Sequence, residues 1–548
     1  MSDTTQTRSQ EAVTLRGQPR VSTLLAILAL AAVVRGIAWH RALMMMNDGP
    51  DFLWQASRLL EGNWTAALSH PYHPLYAGLT ALVSLTGLGL EASGFLVALF
   101  GGLLVVLSAW GLARLAFPDQ PAIPAATAVV AAVAARFVQF SSDIQSDGIF
   151  SGLALAAMWA VVSAAHHKGS AGRLFLAGVL TALTYLTRPE GLFIFLLVGL
   201  WVVASPPRLP RRALSAMSFV AGALLLVIPY VITLHDITGV WGLSLKPSLQ
   251  YAGLRDGPVT HRAPEDSPMA WDYVPRAVSP RQLRKMAEEK AQAENTGSAT
   301  ETKEGRFRLP WQTALPPLSV APPPGARGNW GRALNESLKS YLSSLRIELL
   351  LLIIPGFITL FKKRRKLALG LVAVQLGWLA ITCWHLRTND YITNRHFLIA
   401  QGLLLPVAGA GLVALWTRGR ILKTVAVLLL VVSFLAGTLQ RRAENAPRLE
   451  ALAWIKAHTS EDQHFATHRR RDGWYAERVA MSTRMPVKDA VFARHVAQHD
   501  MPYLVFDEIA LEENQPNWIP DGLVEVVQRF EGEGDTVYVL TPHFPSRQ

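Results

Sequence analysis

Long apolar blocks recur along this chain with almost no charge inside them, among them Val21–Ala38, Phe95–Ala113 and Val425–Thr438. A hydrocarbon core of about 30 Å takes roughly 20 apolar residues to cross as a helix. Inside lipid each backbone polar group needs a partner within the segment, which a helix provides. Charged residues are only 17% of the 548 and apolar residues 51%, whereas soluble domains carry about 25% charge. The expected fold class is therefore mainly α, a polytopic membrane helical bundle. A single cysteine, Cys383, excludes an internal disulfide and a cysteine-based metal cluster. The net charge of +12 lies mostly in short loops, where it reads as membrane orientation, with no nucleic-acid partner. The first apolar block is not followed by a small-residue cleavage pattern, so no cleavable signal peptide is expected.

Positive charge near span ends marks the cytoplasmic side. Arg8, Arg16 and Arg20 precede the first block, so residues 1–20 form a cytoplasmic tail. The later clusters belong on the same side: Arg114; Lys168 and Arg173; Arg208, Arg211 and Arg212; Lys362 to Lys366; and Arg418, Arg420 and Lys423. An even number of crossings between clusters gives eleven spans in a domain over 21–439: 21–39, 92–113, 121–140, 148–166, 173–187, 190–205, 214–234, 344–361, 367–384, 397–416 and 420–438. Segment 72–90 would break the parity and reads as a re-entrant or interfacial helix. Loops 40–71 and 235–343 then lie outside, and the middle of the second, Ala287–Glu304, reads as disordered. Residues 440–548 read as a small extracytoplasmic α/β domain, with helical spacing at Leu449–Ala457 and Asp489–Gln498 and β-rich runs at Tyr503–Phe506 and Thr536–Leu540. No internal repeat of the kind that builds many transporters is evident.

Ionisable residues gather at the outer ends of the spans: Arg35, Arg136, Asp143, Asp147, Arg188, Glu190, His385, Arg387, Asp390, Arg395 and His396. Singly, each is compatible with snorkelling to the interface; clustered at one side, they point to a site. In the first outer loop Pro50 fits a first helical position and Gly62 a stop. Asp51 falls in the first turn, where the helix dipole favours a carboxylate. Asp48 precedes the helix and suits a general base. Arg188 and Glu190 share the turn Thr187–Gly191 between two short spans, either as a pocket or as a mutual salt bridge. Asp143 and Asp147 lie four apart, and Asp147 also reads as a cap for the next span. His70 and His73 read as interfacial residues, or as two metal ligands near Asp48 or Asp51. The tetrad His468-Arg469-Arg470-Arg471 reads as a solvated face, or as a patch for an anionic partner. No Walker or dinucleotide glycine motif stands in a strand-turn-helix context.

These motifs, in this order, resemble the GT-C superfamily of integral-membrane glycosyltransferases, which includes the protein O-mannosyltransferases and the lipid A aminoarabinose transferases. Asp48 to Gly62 is similar to the family's Asp-led first loop. His73-Pro74-Leu75-Tyr76 is similar to the Pro-rich segment after it. Ser146-Asp147-Gly148 stands where the family places an acidic residue at a span start. Leu183 to Gly191 resembles a recurrent Leu-Thr-Arg-Pro-Glu-Gly turn, and Arg395-His396-Phe397 resembles a late Arg-Tyr motif. Phe52 and His396 stand where the family usually has Tyr, and loop 235–343 has no counterpart.

The resemblance implies transfer of a sugar from a polyprenyl-phosphate donor to a lipid, glycan or protein acceptor, with inversion, at the outer face of a bacterial inner (plasma) membrane. It implies a carboxylate to deprotonate or orient the acceptor: Asp48, with Asp51 in reserve. Cations for the donor phosphate would be Arg188, Arg395 and His396. Asp143, Asp147 and Glu190 would hold sugar or acceptor. No cofactor is required, and a divalent metal is compatible with the carboxylates. The rival readings are a transporter or lipid flippase, and a non-catalytic scaffold.

Overall fold

The structure is a computed structural model describing residues 21–166, 170–204, 209–238, 241–245, 330–389, 392–439, 445–461, 463–469, 471–478, 480–482, 496, 501–514, 517–532 and 535–543. The chain is mainly helical, a membrane bundle followed by a small α/β unit. Among the described residues eight helices are long and apolar enough to cross a membrane. They run in α1 (Val21–Ala42), α5 (Leu90–Ala116), α8 (Asp147–His166), α11 (Leu209–Thr238), α12 (Trp330–Lys363), α13 (Arg365–Asn389), α14 (Leu398–Thr417) and α15 (Arg420–Thr438). A ninth crossing is available if the bent pair α6 (Ala122–Val133) and α7 (Ala135–Ser141) counts as one span. Two of the expected eleven spans are the shorter apolar helices α9 (Ala171–Thr187) and α10 (Gly191–Ala204). Segment 72–90 holds the 10-residue helix α4 (Leu75–Ser84), about 15 Å long and too short to cross. Two short helices, α2 (Gly49–Leu60) and α3 (Trp64–Ser69), fill the loop between α1 and α4.

The ends of the expected loop 235–343 are helical, since α11 continues to Thr238 and α12 begins at Trp330. Ala287–Glu304 lies outside the described residues, as do residues 1–20, Asp390 and most of Asp489–Gln498. Large apolar side chains such as Val21, Leu225, Leu376 and Ile421 stay exposed on the spans, where lipid would cover them. Inside the bundle, close approach depends on small residues. A Cβ on Gly356 would lie 1.8 Å from the Val407 carbonyl oxygen, and one on Gly411 would lie 1.8 Å from that of Leu352. Helices α12 and α14 therefore meet backbone to backbone.

The break between α6 and α7 falls at Ala134 and bends the pair by 56°. Backbone groups freed there are met by side chains from distant segments, as a broken helix at membrane depth requires. Ser433 donates to the Val133 carbonyl at 3.1 Å and accepts from the Ala135 N–H at 3.3 Å. Arg35, fully buried, donates to the Ala132 carbonyl at 3.1 Å and to the Ser141 hydroxyl at 2.7 Å. This Arg fixes the bend that delivers the chain to Asp143 and Asp147.

The C-terminal unit begins with α16 (Asn445–His458) and includes the short helices α17 (Arg471–Ala476) and α18 (Glu508–Asn514). Its five-stranded sheet has the order β2-β1-β3-β5-β4. The strands are β1 (Phe465–Thr467), β2 (Ala480–Ser482), β3 (Tyr503–Asp507), β4 (Val524–Gly532) and β5 (Asp535–Pro542). β1 runs parallel to β2 and β3, and β5 pairs antiparallel with β3 and β4. Both β-rich runs and the Leu449–Ala457 helix expected from sequence lie in this unit.

Candidate active site

A cleft at the end of the bundle is lined by Asp48, Phe52, Tyr72, His73, Ser146, Thr187, Arg188 and Arg395. Asp48 stands at the N-cap of α2 without a side-chain cap hydrogen bond. Its carboxylate turns into the cleft instead. One oxygen accepts from the Tyr72 hydroxyl at 3.0 Å and the other from Arg395 Nη1 at 3.2 Å. Asp51 points the other way: its side chain is fully buried, 3.8 Å from His70 Nε2. His70 Nδ1 accepts from the Tyr72 N–H at 3.1 Å, so in the neutral ring Nε2 carries the proton toward Asp51. Of the two competing carboxylates, Asp48 is the one that reaches the cleft.

Loop 63–74 is strapped to α2. Gln55 donates to the carbonyls of Ala67 and Tyr72 at 2.8 and 3.1 Å, and Phe52 stacks on Tyr72 at 5.0 Å. His73 has both ring nitrogens engaged, by the Tyr185 carbonyl at 2.6 Å and the Ser244 hydroxyl at 2.9 Å. His70 and His73 therefore serve separate contacts. Among the described residues no group of three or more His, Cys, Asp and Glu is placed to hold a metal ion.

Arg188 follows α9 in extended backbone, φ −154° and ψ 141°, the conformation a following Pro enforces. Its guanidinium meets Asp147 Oδ1 at 2.8 Å and Glu190 Oε1 at 3.0 Å, with 9% of the side chain exposed. Both sequence readings of this turn coexist: the salt bridge with Glu190 forms, and Arg188 also lines the cleft. Arg395 reaches the cleft from a 3-10 turn, Asn394–Phe397. Two guanidiniums and the Asp48 carboxylate thus converge, with Asp147 and Glu190 engaged on Arg188.

Asp143, Asp147, Glu190 and His396 are not among the residues that line the cleft. Asp143 Oδ1 accepts from the N–H groups of Met46 at 2.9 Å and Ile144 at 2.8 Å, which holds the segment leading to Asp48. His396 Nδ1 accepts from the Thr393 N–H at 3.0 Å, capping its own turn, and the ring lies 5.0 Å from that of His385. Tyr72, Ser146 and Thr187 line the cleft without having been singled out as site residues, and His73, read as interfacial or as a metal ligand near Asp48 or Asp51, lines it too. The signal for Tyr72 was its place between two histidines, and for Ser146 and Thr187 their adjacency to Asp147 and Arg188.

The tetrad 468–471 is corrected. Arg471 is 1% exposed, so it is no solvated face, and Arg470 lies outside the described residues. His468 Nε2 lies 2.6 Å from Asp507, which also pairs with Arg469 at 3.0 Å and buried Arg448 at 3.2 Å. Burial, with the Arg448 charge beside it, pushes His468 down to about 4. For Asp507 burial acts upward, but its hydrogen bond from His468 and the charges of Arg448 and Arg469 outweigh it and hold the carboxyl well below the usual range. At neutral pH this cluster is a neutral imidazole between ionised partners, each of which is already engaged.

Residues 69–233 match the family model described as Dolichyl-phosphate-mannose-protein mannosyltransferase. That match bears out the GT-C resemblance; it includes Ser146, Asp147, Arg188 and Glu190 but neither Asp48 nor Arg395. No curated protein matches the chain in sequence. Among solved structures, the Archaeoglobus fulgidus oligosaccharyltransferase in complex with Zn and sulfate is 14% identical, with a TM-score of 0.49 over 89% of this chain and 68% of that one. The AglB oligosaccharyltransferase of the same organism, in complex with an inhibitory peptide and a dolichol-phosphate, is 13% identical, with a TM-score of 0.48 over 89% and 70%. ArnT from Cupriavidus metallidurans bound to undecaprenyl phosphate is 15% identical, with a TM-score of 0.43 over 97% and 100%.

Proposed function

We propose that this chain, which carries the mannosyltransferase family pattern over residues 69–233, transfers a sugar from a polyprenyl-phosphate donor to an acceptor hydroxyl at the outer face of the membrane. The family model's description names a dolichyl-phosphate-linked donor, and a polyprenyl phosphate is the same class of lipid carrier. The observation that carries the reading is the meeting of Asp48, Arg188 and Arg395 in one cleft.

In this reaction the acceptor oxygen forms a bond to the anomeric carbon while the bond from that carbon to the phosphate oxygen breaks. The bonding pair leaves with the phosphate, and the acceptor proton passes to Asp48. Charge grows on the leaving phosphate, so cations fixed beforehand at its position lower the barrier. Arg395 and Arg188 fill that role. Arg188 is held in place by Asp147 and Glu190. Arg395 has a second task, because it also occupies one oxygen of Asp48. A donor phosphate competes for that guanidinium and frees the oxygen to accept the acceptor proton. Donor binding then precedes activation of the acceptor. Tyr72 keeps its hydrogen bond to the other oxygen throughout. A single displacement inverts the anomeric centre. Glu190 and Asp147 act through Arg188, which they hold, and Asp143 and His396 act from behind the cleft on backbone.

The test is transfer from labelled polyprenyl-phosphate sugars by the purified full chain in lipid nanodiscs, with membrane extract as acceptor source. Transfer that is lost in Asp48→Asn supports the reading. Failure to bind polyprenyl phosphate and to turn over hexosyl or pentosyl donors overturns it.

A further inference from the structure

The backbone that leads from α1 to Asp48 is held by the C-terminal unit. Asn445 Nδ2 donates to the Ala42 carbonyl at 2.6 Å. Arg471 donates to the Met45 carbonyl at 3.0 Å and to Asn445 Oδ1 at 2.8 Å. The Tyr475 hydroxyl accepts from the Met45 N–H at 2.8 Å and donates to Glu91 on α5 at 3.2 Å. Arg471 and Tyr475 stand four apart on α17, so both face the same strip of chain. Between these grips Met44 is 1% exposed and packs into the core of the C-terminal unit with Leu452, Ile455 and Phe465. Leu43 takes φ 60° to make the insertion, a conformation an L residue holds only when its surroundings impose it. On the far side Met46 N–H is fixed by Asp143 at 2.9 Å, and Asp48 follows two residues later.

Asn445 is fully buried and Arg471 nearly so, and their hydrogen bonds here reach across some 400 residues of sequence to one short strip (|i−j| 403 and 426). A domain that only capped the bundle would not need to hold this strip by both its carbonyls and its N–H.

We propose that Asn445, Arg471 and Tyr475 are positioning residues for Asp48, so that the C-terminal unit completes the active site. This rests on Asp48 being the carboxylate that takes the acceptor proton. A base must sit within hydrogen-bond reach of its proton, and a shift of about 1 Å at a reacting group costs up to about 10²-fold in rate. The hydrogen bonds of these three residues described above run to the strip before Asp48 and to Glu91, so the effect falls on turnover more than on donor affinity.

The experiment uses the full chain in nanodiscs and two readouts. One is the rate at which a negatively charged thiol reagent modifies Asp48→Cys in a Cys383→Ser background. The other is kcat and donor KM, with labelled polyprenyl-phosphate sugar, for chains that retain Asp48. Each is measured with Arg471→Lys and with Tyr475→Phe, which removes one hydroxyl and keeps the ring packed. Lys456→Met, which breaks an exposed pair with Glu477 in the same unit, is the control. The expected result is a change of about tenfold or more in thiol reactivity, and a kcat loss approaching about 10²-fold with donor KM within about threefold. The control should match wild type. Unchanged thiol reactivity in folded Arg471→Lys and Tyr475→Phe overturns the proposal, whatever kcat does. If thiol reactivity changes while Asp48→Asn still transfers sugar, positioning of residue 48 stands and its role as base falls.

Discussion

Arg395 donates to the carboxylate of Asp48 at 3.2 Å although 347 residues separate them. The pair joins the loop after the first span to the turn before α14, so the cleft closes only when both ends of the membrane domain have docked. It also makes the cleft self-neutralising at this point, with the carboxylate and the guanidinium each occupying the other.

Asp48→Asn should abolish transfer and leave polyprenyl-phosphate binding intact or tighter, because the amide keeps the shape but can neither take a proton nor compete as a charge with the phosphate for Arg395. Asp51→Asn should retain most activity and lose stability, by about 0.3–1 kcal/mol from the helix dipole. Turnover and thermal melting of the two variants decide between them. An inactive Asp51→Asn beside an active Asp48→Asn would reverse the assignment.

Arg395→Lys and Arg188→Lys keep the charge and lose the planar pair of donors. Hydrogen bonds to charged groups contribute about 1.5–3 kcal/mol, so each variant should lose roughly 10- to 100-fold in donor kcat/KM. Arg188→Lys should also melt lower, since one ammonium cannot reproduce its paired contacts with Glu190 while holding Asp147. Near-normal kinetics in both would remove the phosphate assignment.

The spans were legible because a block free of charge has few alternatives to a membrane helix. The break at Ala134 was not, because Val133-Ala134-Ala135 reads as continuous helix. What ends it is Arg35 and Ser433, roughly 100 and 300 positions away (|i−j| 97 and 300 for their bonds to the break). The site was partly legible for a similar reason. Asp48, Arg188 and Arg395 announced themselves as charges at apolar boundaries, and all three line one cleft. Tyr72 had only its place between two histidines as a signal, because the role of an interfacial hydroxyl depends on a partner that sequence does not name, here Asp48. Asp143 and His396 looked like site residues because sequence records a charge but not its direction, and both turn to backbone N–H groups. The tetrad failed for want of depth: four polar residues in a row read as surface, yet Arg471 is buried against Met45.

Topology has its own test. The orientation drawn from loop charge puts loop 40–71 and the C-terminal unit on one, outer side. Thr65 and Ser460 are both exposed, and Cys383 is buried and removable. Thr65→Cys and Ser460→Cys in a Cys383→Ser background should both react with an impermeant thiol reagent in intact spheroplasts. Protection of both would invert the orientation and rule out an outer-face reaction.

The buried cluster around His468 predicts an acid sensitivity in the C-terminal unit. His468 titrates near 4 when folded, against 6.5 for a free imidazole. Between those values the unfolded chain binds the additional proton, so stability rises with pH across this window and is fully present above about 6.5. Acidification from about 6.5 to about 4 should therefore remove up to about 3 kcal/mol, because each tenfold difference in proton affinity is worth about 1.4 kcal/mol. Asp507, held below the ordinary carboxylate range, adds a second loss only below about 4. Melting of the full chain from pH 7 to pH 4 should show the transition moving down across this window. His468→Gln, which cannot titrate, should flatten that slope. An equal slope in His468→Gln would assign the acid sensitivity to another group.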